Sequence, residues 1–114
     1  MIKSIKFASI PVRNQDTALE FYTKKLGFFD GKQRWIELSI PGAKTGLTLF
    51  TPDGHEDRIG TFAGISFECD DVQKTYEDMA AKGVEFVKPP KTEQWGTSAV
   101  FKDCDGNMFV LSSR

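Results

Sequence analysis

The sequence is poor in the residues that most often carry chemistry: one histidine, His55, and two cysteines, Cys69 and Cys104, in 114 residues. A single histidine excludes any metal site that draws two imidazoles from one chain. Two cysteines with no C-x-x-C spacing exclude a disulfide framework, and reduced thiols in the cytoplasm are the expectation. Long apolar runs are missing as well. None approaches the ~18 residues of a membrane span, and none follows the basic start Met1-Ile2-Lys3, so no membrane anchor or export signal is expected. An excess of one charge is also absent. The 15 basic and 16 acidic groups leave a net charge of −1, with no block of five like charges, which argues against nucleic acid and anionic membranes as partners. What is present is average globular composition, 39% hydrophobic and 27% charged. At this length one soluble domain buries roughly two-thirds of its unfolded surface.

The chain repeats itself. Phe7-Ala8-Ser9-Ile10-Pro11-Val12-Arg13-Asn14 returns in kind as Gly64-Ile65-Ser66-Phe67-Glu68-Cys69-Asp70-Asp71, with Ser9/Ser66, Ile10/Phe67 and Val12/Cys69 each 57 apart. Each copy leads into a helical pattern. The first spans 16–26, with Ala18, Leu19, Tyr22 and Leu26 on one face, Thr17 and Glu20 spaced as a capping box, and Gly27 as the stop. The second spans 72–82, with Val72, Tyr76, Met79 and Ala80 on one face, Asp70 or Asp71 as cap, and Gly83 as the stop. Strand periodicity follows over 35–40 and 46–50 in the first half, separated by Pro41-Gly42, and over 84–87, 98–102 and 108–111 in the second. Each half therefore reads as a β-α-β-β-β module, 1–57 and 58–114. Gly27 to Arg34 is shorter than Gly83 to Gly96, so the second strand of the first module, near 28–32, is expected to be short or missing. A shortened strand leaves an edge open to association.

Val12-x-Asn14, Phe21-Tyr22-x-x-x-Leu26-Gly27-Phe28, Phe67-x-Cys69-Asp70-Asp71-Val72, Gly83-Val84 and Asp103-x-Asp105-Gly106-Asn107 together resemble the vicinal oxygen chelate superfamily, the glyoxalase, bleomycin-resistance and extradiol-dioxygenase group. The resemblance covers nearly the whole chain. It implies an α+β fold of tandem βαβββ modules whose mixed sheets curve around a central cup, and a homodimer. It does not choose among the enzymes and metal-free drug-binding proteins that share the fold. Catalytic members hold a divalent metal through His or Gln on the first strand of each module and Glu on the last. Carried over residue by residue, those positions fall on Phe7, Thr48, Gly64 and Val110. Only a threonine hydroxyl survives. Hard divalent ions need several oxygen or imidazole ligands, so no metal and no cofactor are expected. Glu68 lies four residues from Gly64, about 13 Å along a strand, too far to substitute. His55 sits in the polar stretch Pro52-Asp53-Gly54-His55-Glu56-Asp57 and reads as solvated.

By alternation Ile65, Phe67 and Cys69 face the helix, while Phe62, Gly64, Ser66 and Glu68 face the cup. Phe7, Thr48, Phe50, Ser66, Met108 and Val110 would line it, joined by Glu37 from the cup side of its strand and by Trp35 and Trp95 near the rim for stacking. The same apolar residues also read as simple core filling. Three functions stay open: a metal-free protein that binds and sequesters a planar or cationic ligand; a lyase, isomerase or dioxygenase with relocated metal ligands; and an interaction module with a filled cup. A lone Glu37 acting as acid or base is a variant of the second. Cys104 stands at a turn position where the family usually has proline, a tolerated substitution.

Overall fold

The computed structural model describes residues 1–30, 36–40, 42–52 and 54–113. The chain forms two compact units, Met1–Ile59 and Gly60–Arg114. In the first, β1 (Phe7–Pro11) leads into α1 (Gln15–Glu20), a π turn over Phe21–Lys25, and then β2 (Phe29–Asp30), β3 (Ile36–Ser39) and β4 (Gly46–Phe50). Its sheet has the order β1-β4-β3-β2, with β1 parallel to β4 and the other pairs antiparallel. In the second, β5 (Phe62–Glu68), α2 (Val72–Ala81), β6 (Glu85–Glu93), β7 (Gly96–Lys102) and β8 (Met108–Ser113) give the order β5-β8-β7-β6, again with one parallel pair. Both units are β-α-β-β-β modules of an α+β fold, as the repeat implies. Between Glu56 and Arg58 the chain makes one turn of 3-10 helix. Trp35, Pro41 and Asp53 lie outside the described residues.

The two helices are specified by their ends. Asp71 caps α2 by accepting the Lys74 N–H at 3.0 Å, and at the far end Gly83 turns left-handed, φ +90°, so that Val84 N–H reaches the Met79 carbonyl. In the first unit the expected capping box does not form. Asn14 is the cap, its side chain accepting the Thr17 N–H at 3.0 Å, because asparagine in extended backbone reaches the third N–H without help from a glutamate. The helix also does not stay α to its end. Thr23 donates its hydroxyl to the Leu19 carbonyl at 2.7 Å, a back-bond that competes with the ladder where the helix widens into its π turn.

Among the described residues β2 is Phe29–Asp30, and the rest of the short segment expected near 28–32 lies outside them. In the second unit the strand expected over 84–87 runs further, because β6 continues through Pro89 and Pro90 to Glu93. The reason is its place at the sheet edge: only the β7 side needs N–H donors, and the register shifts on either side of Lys88 to pass the prolines.

Apolar burial is concentrated on the helix side of each sheet. Ile10, Leu38, Leu47 and Leu49 pack with Ala18, Phe21 and Tyr22 in the first unit. In the second, Phe67, Phe101 and Phe109 form a ring cluster at centroid separations of 5.4 to 6.1 Å, extended by Phe86 and Tyr76. One buried polar knot accompanies it. Asp103 accepts the N–H groups of Asp105 and Asn107, each at 2.9 Å, and the Asn107 amide at 2.9 Å. Asn107 in turn accepts the Gly60 N–H at 2.8 Å. Replacing Asn107 with alanine removes the amide bond to Asp103 and the side-chain acceptor of the Gly60 N–H, and is expected to cost about 2 kcal/mol, against under about 0.5 kcal/mol for Cys104→Ser in the same turn. Urea denaturation of the two variants measures the difference.

Candidate functional site

Phe7, Thr48 and Phe50 of the first unit, and Ser66, Met108 and Val110 of the second, lie on the sheet face of their own unit turned away from its helix. On β1, Phe7 and Ser9 alternate with the helix-facing Ala8 and Ile10; on β4, Thr48 and Phe50 alternate with Leu47 and Leu49. The parallel register sets Ser9 opposite Thr48, and the antiparallel register sets Glu37 opposite Thr48 from the other side. Phe7 stands opposite Gly46, which offers no side chain to cover it, and the phenyl group is 45% exposed. It is not core filling.

Thr48 is 7% exposed, and its hydroxyl is donated to Ser9 Oγ at 2.9 Å. Phe50 is half-buried, with the Arg58 guanidinium 5.6 Å from the ring centroid, a cation–π contact from the turn that follows the strand. Neither Ser9 nor Arg58 was singled out from the sequence. The repeat does mark Ser9 through its counterpart Ser66, but the bond to Thr48 spans 39 positions and only the strand register reveals it.

The second unit arranges its open face in the same manner. Ser66 pairs in register with Val110, Glu68 with Ser112, and across the next strand Val100 pairs with Val110 and Lys102 with Met108. Ser66 and Ser112 share a hydroxyl hydrogen bond of 2.9 Å, and Lys102 is 3.4 Å from the Glu85 carboxylate. Met108 and Val110 are half-exposed between these polar groups. Trp95 is at the tip of the β6–β7 hairpin and 62% exposed. Trp35 lies outside the described residues.

Gly64 departs from simple alternation. Phe62 pairs with Met108 and Ser66 with Val110, so four steps on β5 match two on β8. Gly64 occupies this bulge at φ +72°, a conformation that disfavours any residue with a side chain by about 1–2 kcal/mol. The position thus lacks both a donor atom and the backbone for a histidine.

The donor set does not fit a hard divalent ion. Phe7, Gly64 and Val110 have no side-chain donor, and the Thr48 hydroxyl is committed to Ser9. Among the described residues no three His, Cys, Asp or Glu side chains gather closely enough to hold an ion. His55 is exposed and precedes the 3-10 turn.

The two thiols differ. Cys69 is half-buried at the end of β5 and Cys104 is exposed in the β7–β8 turn. Desolvation of its sulfur against the turn, then the carboxylates of Asp105 and Asp103, push the Cys104 thiol up from an ordinary 9.0 to about 12. Its Sγ donates to Asp105 Oδ2 at 3.8 Å.

Comparison with known proteins follows this geometry. The profile of the Glyoxalase/Bleomycin resistance protein/Dioxygenase superfamily matches residues 4–111. The Bacillus subtilis (strain 168) protein YetH is 37% identical over 97% of this chain and 98% of its own length. A crystal structure of a superfamily member from Sphaerobacter thermophilus DSM 20745 is 34% identical, covering 99% and 98% of the two chains, with a TM-score of 0.86. TnmS3, an antibiotic binding protein from Streptomyces sp. CB03234, is 29% identical over 98% and 96%, with a TM-score of 0.83.

The thiol chemistry is directly testable. Despite its exposure, Cys104 is expected to react with iodoacetamide at pH 8 roughly two to three orders of magnitude more slowly than a free thiol, because the thiolate is the nucleophile. Asp105→Asn is expected to accelerate it. Mass spectrometry of the timed alkylation, site by site, reads both rates.

Proposed function

The chain belongs to the glyoxalase/bleomycin-resistance/dioxygenase superfamily, and from that premise we propose that it is a metal-free small-molecule-binding protein that sequesters a planar or cationic ligand. One observation carries the reading. The positions that would hold a metal are Phe7, Thr48, Gly64 and Val110, and the structure turns them to other uses: an exposed ring, a hydroxyl bonded to Ser9, a left-handed bulge and an apolar strand residue. Apolar surface with a few hydroxyls suits shape-selective binding, whereas metal-assisted chemistry needs a cluster of hard donors.

The ligand contacts in this reading are Phe7, Glu37, Thr48 and Phe50 from the first unit and Ser66, Met108 and Val110 from the second. Trp35 and Trp95 supply stacking surface, and Glu37 favours a cationic group. The structural likeness to TnmS3, which binds an antibiotic, points the same way and suggests antibiotics as the first compounds to screen. The reading includes a cytoplasmic homodimer, for which the edge strand β2 leaves a place of association.

Native mass spectrometry on protein purified without chelator is expected to give the mass of two subunits and no stoichiometric metal. One metal per subunit sinks the proposal and favours an enzyme with relocated ligands. Thermal shift against planar and cationic antibiotics is expected to find a stabilising compound, with about 2.7 kcal/mol gained at about 100 times Kd. Phe7→Ala and Val110→Glu should each weaken that compound's binding about ten-fold or more while the free protein stays folded.

A further inference from the structure

The first unit carries a concavity of about 410 Å³ lined by Val12, Arg13, Thr51, Pro52, Glu56 and Ile59. It lies at the carboxyl ends of the two parallel strands. Val12 follows β1 and Thr51 follows β4, and the pair is still joined there by the Val12 N–H donated to the Phe50 carbonyl at 2.9 Å. Beyond that bond the chains part. One enters α1 through its cap Asn14, while the other turns at Pro52 into the 3-10 helix. Neighbouring parallel strands whose continuations diverge leave a crevice, the geometry that also creates ligand sites in open α/β sheets.

The wall beyond β4 is braced along its own backbone. His55 N–H donates to the Pro52 carbonyl, Arg58 N–H to His55, and Ile59 N–H to Glu56. Glu56 Oε1 accepts the Gly54 N–H at 3.2 Å, which holds the carboxylate against the same turn. The lining then divides by chemistry. Among the described residues, Val12, Pro52 and Ile59 are buried and give an apolar floor, whereas Arg13, Thr51 and Glu56 are exposed and bring a cation, a hydroxyl and an anion to the rim. Opposite charges over an apolar floor favour a ligand that carries both charges over an apolar group of its own.

We propose that this crevice binds a compact zwitterion with an apolar side chain, of the class of a free α-amino acid. Its carboxylate faces Arg13, its ammonium group faces Glu56, and its side chain rests on Val12, Pro52 and Ile59. The residues are not those of the sheet faces considered above, so the site stands or falls independently of the sequestration reading. Both charged contacts are exposed, and binding in roughly the millimolar range is expected.

The test is an amide-shift titration of the full 15N-labelled chain with L-leucine, L-leucinamide, which lacks the carboxylate, and 4-methylpentanoate, which lacks the ammonium group. Leucine is expected to shift the amides of Val12, Arg13, Thr51, Glu56 and Ile59 saturably, with each truncated analogue weaker by about five-fold or more. Arg13→Gln and Glu56→Gln should each weaken leucine by a similar factor while the amide spectrum stays that of a folded chain. No saturable shift at those amides up to about 50 mM leucine overturns the site. So does an equal response to either analogue, or leucine affinity unchanged in both variants.

Discussion

The Asp103–Asn107 knot is the constraint on which the second unit depends. A buried carboxylate is tolerable only when its oxygens are satisfied, and here two backbone N–H groups and a side-chain amide satisfy them within one turn. That closure sets the β7–β8 register, beginning at Lys102 opposite Met108. Asn107 then holds the Gly60 N–H, and Met108 N–H reaches the Thr61 carbonyl. The start of β5 is thereby tied to the start of β8, although more than forty residues separate them. Parallel strands cannot be joined by a tight turn, so a specific anchor of this kind does what a hairpin does for antiparallel pairs. Beyond that anchor the bulge at Gly64 brings Ser66 opposite Val110.

A motif can therefore be diagnostic of a fold without carrying chemistry. Asp-x-Asp-Gly-Asn supports the family resemblance, and its Asp103 and Asn107 side chains close the turn and hold Gly60. Cys104 fits between them since the second residue of the turn is exposed and its side chain is not called upon. Desolvation against the turn, and then the carboxylates of Asp105 and Asp103, push the thiol's pKa up.

The parts legible in the sequence were those governed by local periodicity. Helix faces, the stops at Gly27 and Gly83, and the alternation of β5 and β8 all follow from spacing within about a dozen residues. What escaped depended on partners far along the chain. Asn14 and Thr17 are both competent caps, and only the backbone at position 14 decides between them. The strand expected over 84–87 runs on through Pro89 and Pro90 because β6 is an edge strand. The bulge at Gly64 is invisible to a count of alternating residues, because it concerns pairing with β8. The hydroxyl bond between Ser9 and Thr48 and the contact of Arg58 with Phe50 likewise need tertiary structure.

Losing metal donors alters the physics of a binding face as well as its composition. A hard ion is a fixed concentrated charge that orients any ligand offering oxygen, largely regardless of the ligand's shape. With Phe7 exposed, Val110 and Met108 half-exposed and hydroxyls paired on each sheet, no such charge organises these faces. In the proposed metal-free reading, attraction comes from many weak contacts and a few hydrogen bonds, which reward close fit and a rigid support. The support is at hand: the same strands bury Ile10, Leu47, Leu49, Phe109 and Leu111 on their other side. Each open-face residue is one step along the strand from a core residue, so the packing that stabilises a unit also holds its open face in place.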